Sequence, residues 1–209
     1  MKHLKLIIFV FLILIFPNKI NAQENSFPVD FSLFVGMNVP TGNFGDGSII
    51  ENPNALGAYT GFSTMLDASI MLNDRFFWNS SASISFNGTK LVTDDYDDNF
   101  TTSLFLTGFG VQSVSKEQIT FYGIGQVGLM ISSLPDLVNT YSTPISIISY
   151  DLGKAFAYSI GLGAKYKLLH FTLRYNNAKP SFEREDLNGE KINFDITISF
   201  VQAMIGINF

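Results

Sequence analysis

Eight stretches of this chain alternate apolar and polar side chains with a period of two, and no other feature constrains its fold as tightly. In residues 29–39, Val29, Phe31, Leu33, Val35, Met37 and Val39 share one face, and Asp30, Ser32, Phe34, Gly36 and Asn38 the other. Residues 58–72 set Thr60, Phe62, Leu66 and Ile70 against Ser63, Asp67 and Ser69, and residues 75–87 set Phe76, Trp78, Ile84 and Phe86 against Asn79, Ser81 and Ser85. The pattern recurs in residues 104–112 and 155–166, and from the Lys167-Leu168 pair to Asn176. In residues 121–131, Gln126 falls on the side of Tyr122 and Ile124, which leaves the register of that segment open.

The last segment, residues 194–209, changes parity. Phe194, Ile196, Ile198 and Phe200 share one face, whereas Val201, Ala203, Ile205, Ile207 and Phe209 share the other. The adjacent apolar pair Phe200-Val201 predicts a β-bulge, which would bring Asp195, Thr197, Ser199, Gln202 and Asn208 onto one polar side. No segment carries a convincing helical period, so the chain reads as all β.

The apolar faces hold no charged residue, while Asp30, Asp67, Lys165, His170 and Arg174 lie on the opposite faces. Alternation alone fits a barrel of either polarity. The connections distinguish them. Those after the second, fourth and sixth segments are short, and those spanning 40–57, 88–99, 132–154 and 177–191 are long. Short turns on one rim and long loops on the other belong to a transmembrane β-barrel rather than to a soluble sandwich. A charge on a lipid-facing wall would cost roughly 2–4 kcal/mol near midplane, so the charges are expected in the lumen and the apolar faces in lipid. Trp78, Tyr122, Tyr166 and Phe209 fall near the short-turn ends, where an aromatic girdle belongs.

The N-terminus agrees with export. Lys2 and Lys5 precede an uncharged apolar run from Leu6 to Phe16, and Ala22 offers a small residue before Gln23. This is the pattern of a cleaved signal peptide over residues 1–22, ahead of a single barrel domain over residues 23–209. The run is shorter than the roughly 20 residues that a membrane anchor needs. Without Lys2, Lys5 and Lys19 the chain keeps 10 basic against 18 acidic side chains, a net charge of −8, which argues against nucleic acid as a partner. The chain has no cysteine, which excludes disulfides, thiol chemistry and lipid attachment at a lipobox.

Several short motifs together resemble the small outer-membrane β-barrel proteins of Bacteroidota, the PorT-like group. They are Pro40-Thr41-Gly42-Asn43-Phe44, Leu72-Asn73-Asp74-Arg75-Phe76, Tyr122-Gly123-Ile124-Gly125, Gly161-Leu162-Gly163-Ala164-Lys165-Tyr166 and the terminal Gly206-Ile207-Asn208-Phe209. The resemblance implies an eight-stranded antiparallel up-and-down barrel in the outer membrane of a Gram-negative bacterium. It would be inserted by the outer-membrane assembly machinery through the C-terminal strand, with outer-membrane lipids and lipopolysaccharide around it. One member of that group is linked to protein secretion. Ten strands remain open if residues 144–149 pair as part of an extra hairpin.

The motifs that could carry chemistry point elsewhere on inspection. Gly123-Ile124-Gly125-Gln126-Val127-Gly128 matches a dinucleotide-binding pattern, but no helix follows it; inside a strand, such glycines would leave space in a narrow lumen. The acidic run Asp94-Asp95-Tyr96-Asp97-Asp98-Asn99 could draw divalent cations, yet it lacks the closing Glu of a calcium loop and reads as a solvated loop. His170 is the only histidine beyond residue 22, and a lipid A hydrolase would need it beside a nucleophile and a carboxylate. It follows a short turn, on the rim opposite the leaflet that holds lipid A. Asn79-Ser80-Ser81, Asn87-Gly88-Thr89 and Asn99-Phe100-Thr101 match glycosylation sequons by chance. Asp30, Asp67, Lys165 and Arg174 are expected to pair within a filled lumen.

The expected function is structural or one of surface interaction, with four long loops outside, no catalytic, cofactor or metal site, and residues 132–154 (Ile145, Ile147 and Ile148 among them) as the best candidate for a partner contact. A narrow channel, a lipid-modifying barrel enzyme and an accessory part of a secretion system are the alternatives.

Overall fold

The computed structural model describes residues 29–48, 55–89, 99–113, 119–135, 137–139, 146–148, 150–185 and 191–209. Its strands are β1 Val29–Thr41, β2 Gly61–Met71, β3 Phe76–Asn87, β4 Phe100–Gln112, β5 Ile119–Ser133, β6 Leu137–Asn139, β7 Ser146–Ile148, β8 Gly153–Tyr166, β9 Leu169–Ala178, β10 Ser181–Glu185, β11 Lys191–Asp195 and β12 Ile198–Asn208. The wall is an eight-stranded antiparallel barrel of β1 to β5, β8, β9 and β12, which pair in chain order and close where β12 meets β1. Closure leaves no free edge in the wall.

The short turns are made locally. Asn73 Oδ1 accepts from the backbone N–H of Arg75 and of Phe76, each at 2.9 Å, and so reverses the chain between β2 and β3. Between β8 and β9, Lys167 turns the chain at φ 54°, a left-handed conformation costing a non-glycine residue about 1–2 kcal/mol.

The alternation read from the sequence sorts inside from outside as expected. Phe31, Val35, Phe62, Phe105, Ile160, Leu173 and Ile205 are exposed on the outer wall, while Ser32, Ser63, Asp67, Ser81, Arg174 and Gln202 are buried in the lumen. In β5 the register resolves with Tyr122, Ile124, Gln126 and Met130 inward, opposite Gly163, Gly161, Ser159 and Ala155 of β8.

Four expectations need correction. The bulge at Phe200-Val201 is absent: β12 pairs one-to-one with β9 from Ile198 to Ile207 and with β1 from Ser199 to Asn208. The parity change has another cause. Ile198 and Phe200 point inward because the lumen turns apolar toward the long-loop rim, and β11, with Phe194, is a separate strand. Tyr122 does not belong to an outer girdle; it is 6% exposed and points into the lumen. Nor do Gly123 and Gly125 leave space in the lumen, because they share the outward parity of exposed Phe121 and Val127.

The fourth correction concerns the loops. β6 and β7 do form an extra hairpin, but in a sheet of their own, outside the wall. A second hairpin, β10–β11, begins within the segment read as the last long loop, runs on into the start of the segment read as the eighth strand, and extends the wall from β8 through Ser181 opposite Lys154. The acidic run 94–98, residues 114–118 of the short connection after the fourth segment, residues 1–28, Pro144, Ile145 and Ser149 lie outside the described residues.

A narrow barrel must pack rings without overfilling itself, and glycine on the adjacent strand solves this. Phe77 lies directly opposite Gly110, Tyr122 opposite Gly163, and Phe34 opposite Gly206. A Cβ built on any of these glycines would overlap the ring beside it. Overpacking of this kind costs about 1–3 kcal/mol. Gly163→Val should therefore lower the free energy of unfolding in lipid vesicles by about that amount, read from urea titration of intrinsic fluorescence. Gly125→Ala is the control: a Cβ added there would have nothing within 4 Å, and the substitution should shift stability by less than about 0.5 kcal/mol.

Candidate functional site

The lumen gathers Asp30, Asp67, Lys165, His170 and Arg174 as the alternation predicted, whereas Asp195, placed on the same polar side by the expected bulge, is exposed at the end of β11 and pairs with Lys179 at 3.3 Å. At the short-turn rim, Lys165 Nζ lies 3.4 Å from Asp30 Oδ2, both side chains partly exposed. Deeper in, the Arg174 guanidinium on β9 donates to the Asp67 carboxylate on β2 across the lumen, with both side chains buried. Arg174 Nη1 also donates to Gln126 Oε1 at 2.9 Å, and its Nε to Thr172 Oγ1 at 3.4 Å. Asp30 therefore pairs with Lys165, and Asp67 with Arg174.

Around the pair, amides and hydroxyls continue the network. Gln126 Nε2 donates to Asn79 Oδ1 at 2.7 Å, and Asn79 Nδ2 donates to Ser69 Oγ at 2.9 Å. Toward the long-loop rim, Asn176 Nδ2 donates to Gln202 Oε1 at 2.9 Å, and Gln202 Nε2 donates to Ser63 and Ser85, each at 3.2 Å. Asn38 Nδ2 donates to Asn87 Oδ1 at 2.7 Å, and Asn87 Nδ2 to the carbonyl of Tyr59, also at 2.7 Å. Buried polar side chains must find such partners or lose about 1–3 kcal/mol each. Asn79 and Asn87, the first residues of two sequons, are fully engaged inside the barrel and closed to modification.

His170, the second residue of β9 and opposite Lys165 near the short-turn rim, points inward and is buried in the lumen. Its ring lies between Phe34, at 4.6 Å between centroids, and Tyr122, at 5.2 Å, and Tyr122 in turn meets Phe77 at 5.9 Å. The Ser32 hydroxyl donates to Asn208 Oδ1 at 2.8 Å. Its oxygen is thus the acceptor in the 3.0 Å contact with His170 Nδ1, which carries the ring proton. His170 Nε2 then accepts from the Tyr122 hydroxyl at 2.8 Å. A histidine that holds its proton on the serine side is not poised to deprotonate that serine. Ser32, His170 and Tyr122 instead tie β1, β9 and β5 together.

Beyond Asn38 and Gln202 the lumen becomes a hydrophobic core. Phe100, Leu104, Leu106, Met130, Ala157, Ile198 and Phe200 come from the wall, Phe44 from the loop after β1, and Phe182 from β10. Phe44 meets Phe100 edge-on at 5.3 Å and Phe200 at 6.4 Å. The loop places Phe44 there through a 3-10 turn, Gly42–Phe44, whose carbonyls at Asn43 and Phe44 accept from Leu56 and Ala58, each at 2.9 Å. Sequence reading missed Phe44 and Phe182 because both lie in connections, where no alternation marks an inward face. Among the described residues no group of His, Asp and Glu could hold a metal ion. A cavity of about 10 Å³ between Asp67, Tyr122, Lys165, His170 and Arg174 has room for about one water.

Removing one partner of a buried ion pair strands the other and costs about 3–5 kcal/mol. Arg174→Leu should destabilise the barrel by that amount in urea titrations, whereas the double variant Asp67→Leu with Arg174→Leu should recover most of the loss.

No protein-family model and no curated protein sequence matches this chain. Solved structures do. Neisserial surface protein A superposes with a TM-score of 0.53 at 11% identity, covering 86% of this chain and 95% of that one. The outer membrane protein OprG from Pseudomonas aeruginosa superposes with a TM-score of 0.51 at 12% identity, again covering 86% and 95%. The chain shares the barrel fold of these surface and outer-membrane proteins.

Proposed function

We propose that this chain is an integral outer-membrane protein, exported by a signal peptide over residues 1–22, whose barrel holds four surface loops and performs no catalysis. The observation that carries the reading is the inverted polarity of the barrel. A buried Arg174–Asp67 pair lies inside, while Phe156, Ile160 and Leu162 are 60–70% exposed on the outer wall. A soluble barrel would hide those side chains and display the charges. The height agrees: from Val29 to Val39 the outward face of β1, at about 3.3 Å per residue and a tilt near 40°, rises about 25 Å, the thickness of an outer-membrane apolar band.

The lumen serves to hold the wall rather than to conduct. Phe44, Phe100, Phe182 and Phe200 fill its long-loop end, and the Arg174 network fills its middle. The proton arrangement at Ser32 and His170 supports a structural rather than a hydrolytic role. A PorT-like lineage and insertion by the outer-membrane assembly machinery are consistent with the motifs and are part of the same proposal. The surface loops would supply the partner contact.

The protein should fractionate with outer membranes and run faster on gels before boiling than after it. Recovery in the soluble periplasmic fraction, with no mobility change, would sink the reading. In planar bilayers the folded protein should give no steady current, and lipid A mass spectra should be identical with and without it; a current or a new lipid A species would favour the channel or the enzyme.

A further inference from the structure

The outer wall carries a feature that its role as a boundary does not require. An open groove of about 400 Å³ crosses β2 to β5, lined by Leu66, Ala68, Ser80, Ala82, Phe105 and Thr107 among others. It follows from side-chain size along one row of the sheet. Ala68 lies opposite Ser80, and Ser80 opposite Thr107, so three short side chains stand side by side. In the next row, Leu66 and Phe105 flank Ala82 and form the raised edge. Ligand-sized clefts run from about 300 to 1,000 Å³ and are mostly apolar, as this one is.

The hydrogen bonds at the floor say what fits. Trp78 Nε1 donates to Ser80 Oγ at 3.3 Å. Thr107 Oγ1 donates to the carbonyl of Asn79 at 3.4 Å, so in its 2.9 Å contact with Ser80 the serine is the donor. Each of these hydrogens already has an acceptor on the wall. The occupant is offered a mostly apolar trough with no free hydrogen-bond donor, which suits an alkyl chain and gives an anionic group nothing to bind. Its depth is also set. Ser80 is two outward positions above Phe76 at the short-turn end of β3, a rise of about 10 Å at 3.3 Å per residue and a tilt near 40°. That level lies just inside the row of Trp78 and Phe109, whose rings meet edge-on at 4.5 Å.

We propose that this groove seats one acyl chain of a glycerophospholipid from the leaflet on the short-turn side. The proposal rests on the outer-membrane reading above. An empty trough would forfeit dispersion contacts along its length, and a bulkier partner would have to shed the Leu66 and Phe105 edges to reach the floor.

Trp78 is the only tryptophan of the chain, and its fluorescence reports the occupant directly. The protein is reconstituted in vesicles of short-chain phosphatidylcholine, and phosphatidylcholine with dibrominated C18 chains is titrated in as a contact quencher. A seated chain should raise the relative association constant of the long-chain lipid at Trp78 to about fivefold or more. Ala68→Phe or Ala82→Leu, either of which fills the trough, should return it to about 1 while the protein keeps its heat-modifiable gel mobility. Native mass spectrometry should find one phospholipid retained on the native chain and lost from both variants. A constant near 1 for the native protein, or one unchanged in both variants, would overturn the proposal while leaving the membrane reading intact. Quenching that falls as the protein-to-lipid ratio rises, with crosslinked dimers, would overturn it in favour of a second copy. No quenching by any brominated lipid would overturn both readings.

Discussion

The structure depends on the hydrogen-bonded ion pair between Arg174 and Asp67. The two residues stand 107 positions apart in sequence and on strands separated by β1 and β12 around the barrel, yet both are buried. Neither charge is tolerable there alone. Their shared bond, with Gln126 and Thr172 around it, turns a cost of desolvation into a fixed distance between β2 and β9. The polar network supplies the directional contacts that determine which strands face each other.

The lumen divides by chemistry along its axis. Its short-turn half has charges, amides and a ring belt from Phe77 through Tyr122 and His170 to Phe34. Its long-loop half resembles the core of a soluble protein, built from Phe44, Phe100, Phe200 and their neighbours. Glycines reconcile the two with a narrow diameter by standing under the rings at Gly110, Gly163 and Gly206. Directional bonds set register in the lower half, and close packing seals the upper one.

The outer wall was legible in the sequence because its environment is uniform. Its side chains are predominantly apolar from rim to rim, so residues 29–39 or 155–166 sort correctly by parity alone. The lumen changes character with height, and parity alone cannot follow that change. Ile198 and Phe200 thus read as a displaced outer face and suggested a bulge, when they are an inner face that has turned apolar. Tyr122 failed for the same reason, since an inward aromatic and a girdle aromatic look alike until the register of β5 is known. The luminal pairs of Asp67 with Arg174 and Asp30 with Lys165 could be listed as inward charges, but which met which required the sheet topology. The filling of the mouth by Phe44 and Phe182 had no period to betray it.

That filling makes the four loops unequal as places to modify the protein. The loop after β1 holds part of the core through Phe44, and the segment after β9 does so through Phe182. Epitopes or peptides grafted there would remove side chains on which the barrel mouth closes. Among the described residues the β6–β7 hairpin pairs only with itself, in a separate sheet. An engineer inserting foreign sequence into this scaffold would start at that hairpin, and sequence drift would have the same freedom there and little at the first loop.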